Sequence, residues 1–262
     1  MSVNRRKLLG RRLGAAFVAC LVTVSAPAAA LADGASNPRD PWASLNRPFF
    51  RFNDALDRYA LEPVAKGYDF ILPEIVEGWV TNFFANLWFP VVFTNCVLQA
   101  KPREATQSLA RFMVNTTIGL GGFGDPATRL KVPAPNEDFG QTLGYWGVGT
   151  GPYLVLPFMG PSNVRDTAGR LVDSANRVWP YFVPWYVTTG TGVVEVINTR
   201  ARYLEQVEDL RESSVDYYAA VRDAYLQRRE ALVEDRVGSG DRRDQTSDDD
   251  LYYPEVTEPA PQ

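Results

Sequence analysis

A mainly α-helical fold is what this sequence predicts: short amphipathic helices, a Gly-rich hairpin loop and a C-terminal helical hairpin. Three observations carry the prediction. Apolar residues recur at helical spacing in one segment after another, prolines punctuate those segments, and strand propensity gathers at Tyr153–Leu156 within a block of glycines. Four long stretches carry no charge: those between Glu77 and Lys101, Arg111 and Asp125, Asp138 and Arg165, and Arg177 and Glu195. They form either a very apolar core or a surface that lives in lipid.

The N-terminus reads as an export signal. Arg5, Arg6, Lys7, Arg11 and Arg12 form a basic region, an apolar run covers 13–24, and Ala30-Leu31-Ala32 before Asp33 has a small-x-small cleavage pattern. The expected division is a signal peptide over 1–32, a helical domain over 33–236 and a disordered acidic tail over 237–262. Asn4-Arg5-Arg6-Lys7-Leu8-Leu9 also loosely matches a twin-arginine signal. Cys20, after Phe17-Val18-Ala19, is the alternative processing point, where a lipid would be attached.

The mature chain opens on Asp40-Pro41, a cap followed by proline at the first helical position. Pro48, Pro63, Pro73, Pro90 and Pro102 are then expected to divide the next stretch into short helices. Over 74–89, Ile75, Val76, Trp79, Val80, Phe83, Phe84, Leu87 and Trp88 form a broad stripe. The opposite face, with Thr81, Asn82, Ala85 and Asn86, is polar without charge, unlike that of a water-facing helix. Residues 78–100 are long enough to cross roughly 30 Å of hydrocarbon. Pro90 and the asparagines argue against a simple spanning helix.

Residues 103–117 form a helix with Leu109, Phe112 and Met113 on one face. Glu137-Asp138 reads as a solvated or capping turn before Phe139. The block 139–162 holds Gly144, Gly147, Gly149, Gly151 and Gly160, and is expected to fold as a hairpin-like loop with Gly149-Thr150-Gly151 at its tip. Ser162 is expected to cap a helix whose apolar stripe is Val164, Ala168, Leu171, Val172 and Ala175. Asp166–Arg170 and Asp173–Arg177 would lie on its solvated far face. Two charged helices follow, over 193–210 and 214–236. Val193, Ile197, Leu204 and Val207 face one way in the first, and Tyr218, Val221, Tyr225 and Leu232 in the second.

Composition limits the chemistry. The chain has no histidine, which removes Ser-His-Asp and Cys-His catalysis and every histidine-containing metal site. No Cys cluster, phosphate loop or EF-hand pattern replaces them, so no catalytic residue, metal or cofactor is expected. A net charge of −4 argues against a nucleic-acid partner. Cys96, inside an apolar run, reads as a small buried hydrophobe.

Four blocks carry a family resemblance: DPWASLNRPFFRFNDALDRYALEPVAKGY, NFFANLWFPVVFTNCVLQAKP, RFMVNTTIGLGGFGDPA and NEDFGQTLGYWGVGTGPYLVLPFMGPSNVRD. In this order, over about 40–178, they closely resemble the MlaA (VacJ) family of outer-membrane lipoproteins. The resemblance implies a ring-like assembly of helices lying in the periplasmic leaflet of a Gram-negative outer membrane. It implies a non-enzymatic role, with a central amphipathic channel that removes mislocalised phospholipids from the outer leaflet. The expected partners are phospholipids, trimeric outer-membrane porins, and a periplasmic lipid carrier linked to an inner-membrane ABC transporter. Trp79, Phe83, Phe84, Leu87, Trp88, Phe89, Val91, Val92 and Phe93 would touch acyl chains or set depth at the interface. Tyr145, Trp146, Gly147, Gly149, Gly151, Pro152, Tyr153, Leu154 and Leu156 would line or gate the channel. The competing expectation is a soluble periplasmic interaction protein whose apolar stretches are all core.

Overall fold

The computed structural model describes residues 40–235. The predicted signal peptide, Cys20 and the acidic tail lie outside the described residues. The chain begins with α1 (Ala43–Leu56), which passes without a break through a π-helical turn, Asp57–Leu61, into α2 (Glu62–Ile71). The divisions expected at Pro48 and Pro63 therefore do not occur. At the second, the Glu62 N–H reaches back five residues to the Asp57 carbonyl. That wider turn relieves the clash a proline ring makes with the carbonyl four residues before it. Asp40 does not cap α1 through its side chain. It is buried, accepting from Asn46 Nδ2 at 2.9 Å and from the Tyr218 hydroxyl.

The divisions expected at Pro73, Pro90 and Pro102 are present. Helices α3 (Glu74–Leu87), α4 (Phe89–Leu98) and α5 (Pro102–Thr117) each carry a proline at the cap or in the first turn, where the missing N–H costs nothing. α3 and α4 meet at a 46° bend. No single helix among the described residues is long and apolar enough to cross a membrane; the bent pair is so by length and composition. Short helices α6 (Pro126–Arg129) and α7 (Phe139–Tyr145) follow, capped by Asp125 and Asp138.

The hairpin lies further along than expected. β1 (Tyr153–Leu156) pairs antiparallel with β2 (Gly160–Asn163), Leu156 opposite Gly160, so the tip is 157–159 and not Gly149-Thr150-Gly151. The left-handed backbone this turn needs is supplied at Phe158 and Gly160. α8 (Val164–Asn176) is capped by Asn163, whose Oδ1 accepts from the Asp166 N–H at 2.8 Å. Ser162, the expected cap, instead meets the Thr167 hydroxyl at 2.8 Å. A 3-10 turn (Trp179–Tyr181) leads to α9 (Trp185–Arg202), α10 (Leu204–Ser213) and α11 (Tyr217–Val233). The helix expected over 193–210 thus starts earlier and breaks at Tyr203.

Two asparagines on α1, two turns apart, hold the hairpin. Asn46 donates to the Tyr153 carbonyl at 3.0 Å and accepts from the Val155 N–H at 2.9 Å. Asn53 repeats the pattern, with the Leu156 carbonyl at 2.9 Å and the Phe158 N–H at 2.8 Å. The backbone groups of β1 left unpaired by the two-stranded sheet are satisfied this way. Behind it, Tyr153, Val155, Tyr218 and Tyr225 form a core cluster with Phe49, Phe50 and Leu226 against it. α7 and α8 cross at glycine: a Cβ on Gly169 would lie 2.4 Å from the Gly140 nitrogen.

The neighbour contacts close on themselves. α1 packs on β1, β1 pairs with β2, β2 touches α8, and α8 touches α4. α4 then meets α3, α3 meets α9, and α9 packs on α2, which is continuous with α1. This circuit of helices is the ring-like arrangement that the resemblance implies.

Candidate functional site

Helix α8 is built inside out. Its charged residues Arg165, Asp166 and Asp173 are buried, whereas Leu171 is 66% exposed and Val164 and Val172 are exposed as well. The pairs Asp166–Arg170 and Asp173–Arg177 therefore do not form a solvated exterior. α5 follows suit, burying Ser108 and Asn115 while exposing Leu109 and Met113. α4 buries Asn95 beside Val91 and Cys96 and exposes Val97 and Leu98, with Gln99 buried just past its end; α9 buries Asn198 and Arg200 and exposes Val193, Val194 and Val196. In water such helices would turn the other way, because burying polar groups costs free energy that exposing apolar ones does not recover.

Several of the buried polar groups pair with one another. Asn95 donates to Asp173 at 3.0 Å and accepts from the Thr142 hydroxyl at 2.8 Å; Gln99 donates to Glu137 at 2.8 Å, and Lys101 bonds the other Glu137 oxygen at 2.8 Å. Burial pushes the carboxyl groups of Glu137 and Asp173 above the usual carboxylate range. A second centre forms around Arg229, which bonds Asp138 and pairs with Asp166, to which Tyr225 also donates at 2.7 Å. Burial opposes ionisation of both aspartates there. Arg229 outweighs it, and both carboxyls lie below their usual range. A third centre joins Arg200 and Arg211 to Asp57 and Glu62, fixing α9 and α10 to the π turn and α2.

Outside this polar interior runs an apolar exterior. Phe70, Ile71, Ile75 and Trp79 are exposed on α2 and α3, Ile118, Leu120 and Phe123 on the loop after α5, and Tyr181, Phe182, Trp185 and Tyr186 before and at the start of α9. Of the residues expected to meet acyl chains, Trp79 is exposed, and Phe83, Leu87, Trp88, Phe89, Val92 and Phe93 are half-buried. Phe84 and Val91 are buried and belong to the packing instead. Their places in the stripe turn inward because α3 rests on α9 and α4 on α5. Phe83 stacks on Phe123 at 4.8 Å and Phe89 on Phe112 at 4.3 Å.

Between α3, α9 and the loop at Phe123 lies a wholly apolar groove of about 400 Å³, walled by Val80, Phe83, Phe84, Phe123, Val187 and Val194. Phe84 also borders a small polar cleft formed by Trp88, Arg177, Trp179 and Glu195. In the cleft, the Arg177 guanidinium lies 3.8 Å over the Trp88 ring, and the Trp88 Nε1 donates to Glu195 at 2.8 Å. Burial pulls Arg177 down from the usual arginine range, with Glu195 and Asp173 acting against it.

In the glycine block, Tyr145, Trp146, Gly147, Gly149 and Gly151 are exposed, while Pro152, Leu154 and Leu156 are half-buried. Tyr153, expected to line a channel, is 1% exposed and sits in the tyrosine cluster because β1 alternates its faces. Gly151 is held at positive φ against Val164, but Gly149 has open space and an ordinary backbone. Among the described residues no cluster of three or more metal-ligating side chains occurs. Cys96 is a free, buried thiol, as expected.

The profile of the MlaA lipoprotein family matches residues 38–232. This chain belongs to the MlaA lipoprotein family. An Escherichia coli (strain K12) relative, named intermembrane phospholipid transport system lipoprotein MlaA, is 38% identical over 199 residues, 74% of this chain and 78% of its own. A Haemophilus influenzae relative of the same name is 35% identical over 207 residues, covering 76% and 81%. A solved structure described as the structural basis for maintenance of bacterial outer membrane lipid asymmetry superimposes with a TM-score of 0.67 at 36% identity, covering 74% of this chain and 98% of that one.

In this MlaA-family chain, sequence reasoning missed the asparagine clamp on β1, the Arg229 centre and the polar cleft at Arg177. The signal available was chemical mismatch. Asn95 occupies a helix position among apolar neighbours, where a water-facing helix would carry charge.

Proposed function

We propose that this protein is the outer-membrane component of intermembrane phospholipid transport, providing an amphipathic path without chemistry of its own. It lies on the periplasmic side, removes mislocalised phospholipids from the outer leaflet and passes them to a periplasmic carrier linked to an inner-membrane ABC transporter. Trimeric outer-membrane porins are its expected partners there. The observation that carries the reading is the inversion of α4, α5, α8 and α9: apolar side chains outward and paired polar groups inward. Such a surface is stable only where something apolar covers it. Closure of the helices into a circuit, and the names and lipid-asymmetry context of the relatives, point the same way.

The outward residues of α3, α4 and α9 meet acyl chains, and the exposed turn Tyr145–Gly151 flanks the path. The test is outer-leaflet phospholipid in cells lacking the chain, read by a leaflet-restricted acyltransferase. Re-expression should restore low acylation. Cells whose outer leaflet is unaffected by loss of the chain would contradict the proposal.

A further inference from the structure

The polar cleft beside the apolar groove has a composition that packing alone does not require. Arg177 stands at the C-terminal end of α8, where its N–H bonds the Asp173 carbonyl. Its guanidinium is stacked on Trp88 and half-buried, and among the described residues no acceptor reaches its buried Nε. An arginine left so has a donor free for one anionic oxygen. The cleft itself has about 10 Å³ of free space, enough for a single oxygen-sized group. Glu195 faces the same cleft, with one carboxylate oxygen taken by the Trp88 indole. Directly past Phe84 the apolar groove opens, with a volume of about 400 Å³ that falls in the range of small-ligand sites, roughly 300–1,000 Å³.

We propose that Arg177 takes a phosphodiester oxygen of a glycerophospholipid whose acyl chain lies in the groove of Val80, Phe83, Phe123 and Val194. Glu195, through its second carboxylate oxygen, takes the ammonium of an ethanolamine headgroup. This rests on the phospholipid-path reading above and adds to it a stopping point with a headgroup preference. The charges match the ligand: a cation over the Trp88 ring and an anion at its indole N–H, and a zwitterion with phosphate and ammonium a short ethyl spacer apart. Trp88 is then a positioning residue, fixing both side chains at once. The apolar groove contributes affinity for the chains and is blind to the headgroup.

Native mass spectrometry of the full chain in detergent tests this, with dioleoyl phosphatidylethanolamine, dioleoyl phosphatidylglycerol, dioleoylglycerol and chain-free glycerophosphoethanolamine as probes. The native chain should bind both phospholipids above dioleoylglycerol, favour the ethanolamine lipid, and hold the chain-free headgroup weakly. Arg177→Gln should lose about tenfold or more of the advantage over dioleoylglycerol, the scale of one charge-assisted hydrogen bond. Arg177→Lys should retain part of it. Glu195→Gln should keep phospholipid binding and lose the ethanolamine preference. Unchanged phospholipid preference in Arg177→Gln and Arg177→Lys would overturn the site while leaving the path reading intact. Binding of the chain-free headgroup equal to the lipid would overturn its coupling to the groove. A native chain that binds none of the lipids would sink both.

Discussion

Helices α8 and α11 are joined through side chains, Tyr225 and Arg229 reaching Asp166, yet they obey opposite rules. α11 buries Tyr218, Val221 and Tyr225, as an amphipathic helix in water does, with one charged residue, Arg222, beside them. α8 buries Asp166 and Asp173 and turns Leu171 outward. On the reading proposed above, the difference is one of solvent, lipid around one set of helices and water around the other. Around α1, the hairpin and α11, a tyrosine core faces inward in the ordinary way. Around α3–α5, α8 and α9, the inside is polar and hydrogen-bonded, and the outside is apolar. The polar centres bridge the two regimes, so breaking one should unfold the protein, whereas polar substitutions outside should detach it from lipid.

The largest effect is expected at Arg229. Arg229→Met leaves half-buried Asp138 without its cation and buried Asp166 with Arg165 alone, which should cost about 3 kcal/mol, the low end for breaking a buried pair, read as a shift in the denaturation midpoint in detergent. The same centre sets acid sensitivity. Both aspartates have folded values below their unfolded ones, so the stability they carry is complete above the unfolded value of about 3.9 and is lost as pH falls through the lower folded values. Glu137 and Asp173 act with the opposite sign. Their raised folded values mean that stability declines as pH rises from the unfolded carboxylate range through those values. Asp166→Asn should flatten the acid limb of a melting-temperature profile; an unaltered limb would show that the centre does not titrate on unfolding.

A smaller effect is expected from the hairpin clamp. Asn46→Ala strands the buried N–H of Val155 and should destabilise by about 1–3 kcal/mol. Asn53→Ala acts where the chain is more exposed and should cost less, because water replaces the lost partner. Equal penalties from calorimetry would indicate that burial does not separate the two sites.

Leu171→Asp and Phe182→Ser sharpen the comparison from the other side. Both residues are exposed, so thermal stability in detergent should change by less than about 0.5 kcal/mol. Membrane fractionation should instead fall, Leu171→Asp more than Phe182→Ser, since a charge in hydrocarbon is the costlier group. The smallest structural effect belongs to Gly149→Ala, which meets nothing within 4 Å and keeps an ordinary backbone. If the exposed turn beside the path moves, lipid clearance alters while folding does not. Gly151→Pro is unsuited to that test, because proline cannot take the positive φ found there.

The helical class was legible because periodicity and proline mark helices locally, and Pro73, Pro90 and Pro102 sit where such helices begin. Pro48 and Pro63 misled because the helix runs on through both, the second by way of a π turn that proline spacing does not announce. Orientation was legible only where water is the solvent. On α11 the apolar stripe did face the core. On α8 the same pattern was read with the wrong solvent, and its stripe pointed outward. Tyr153, Phe84 and Val91 looked available for ligand because composition does not say which face of a strand or helix a neighbour covers. Arg177 escaped notice as one end of an expected ion pair; its position over Trp88 is purely tertiary.

Depth-resolved quenching of tryptophan fluorescence by brominated lipids tests the two-solvent account most directly. In reconstituted bilayers, bromines placed along the acyl chains should quench Trp79 and Trp185, which are exposed, when each is kept as the only tryptophan. Both should respond most strongly to bromines near one interface, as expected for a protein held within a single leaflet. A folded protein whose Trp79 and Trp185 are both insensitive to bromines at every depth would contradict the account.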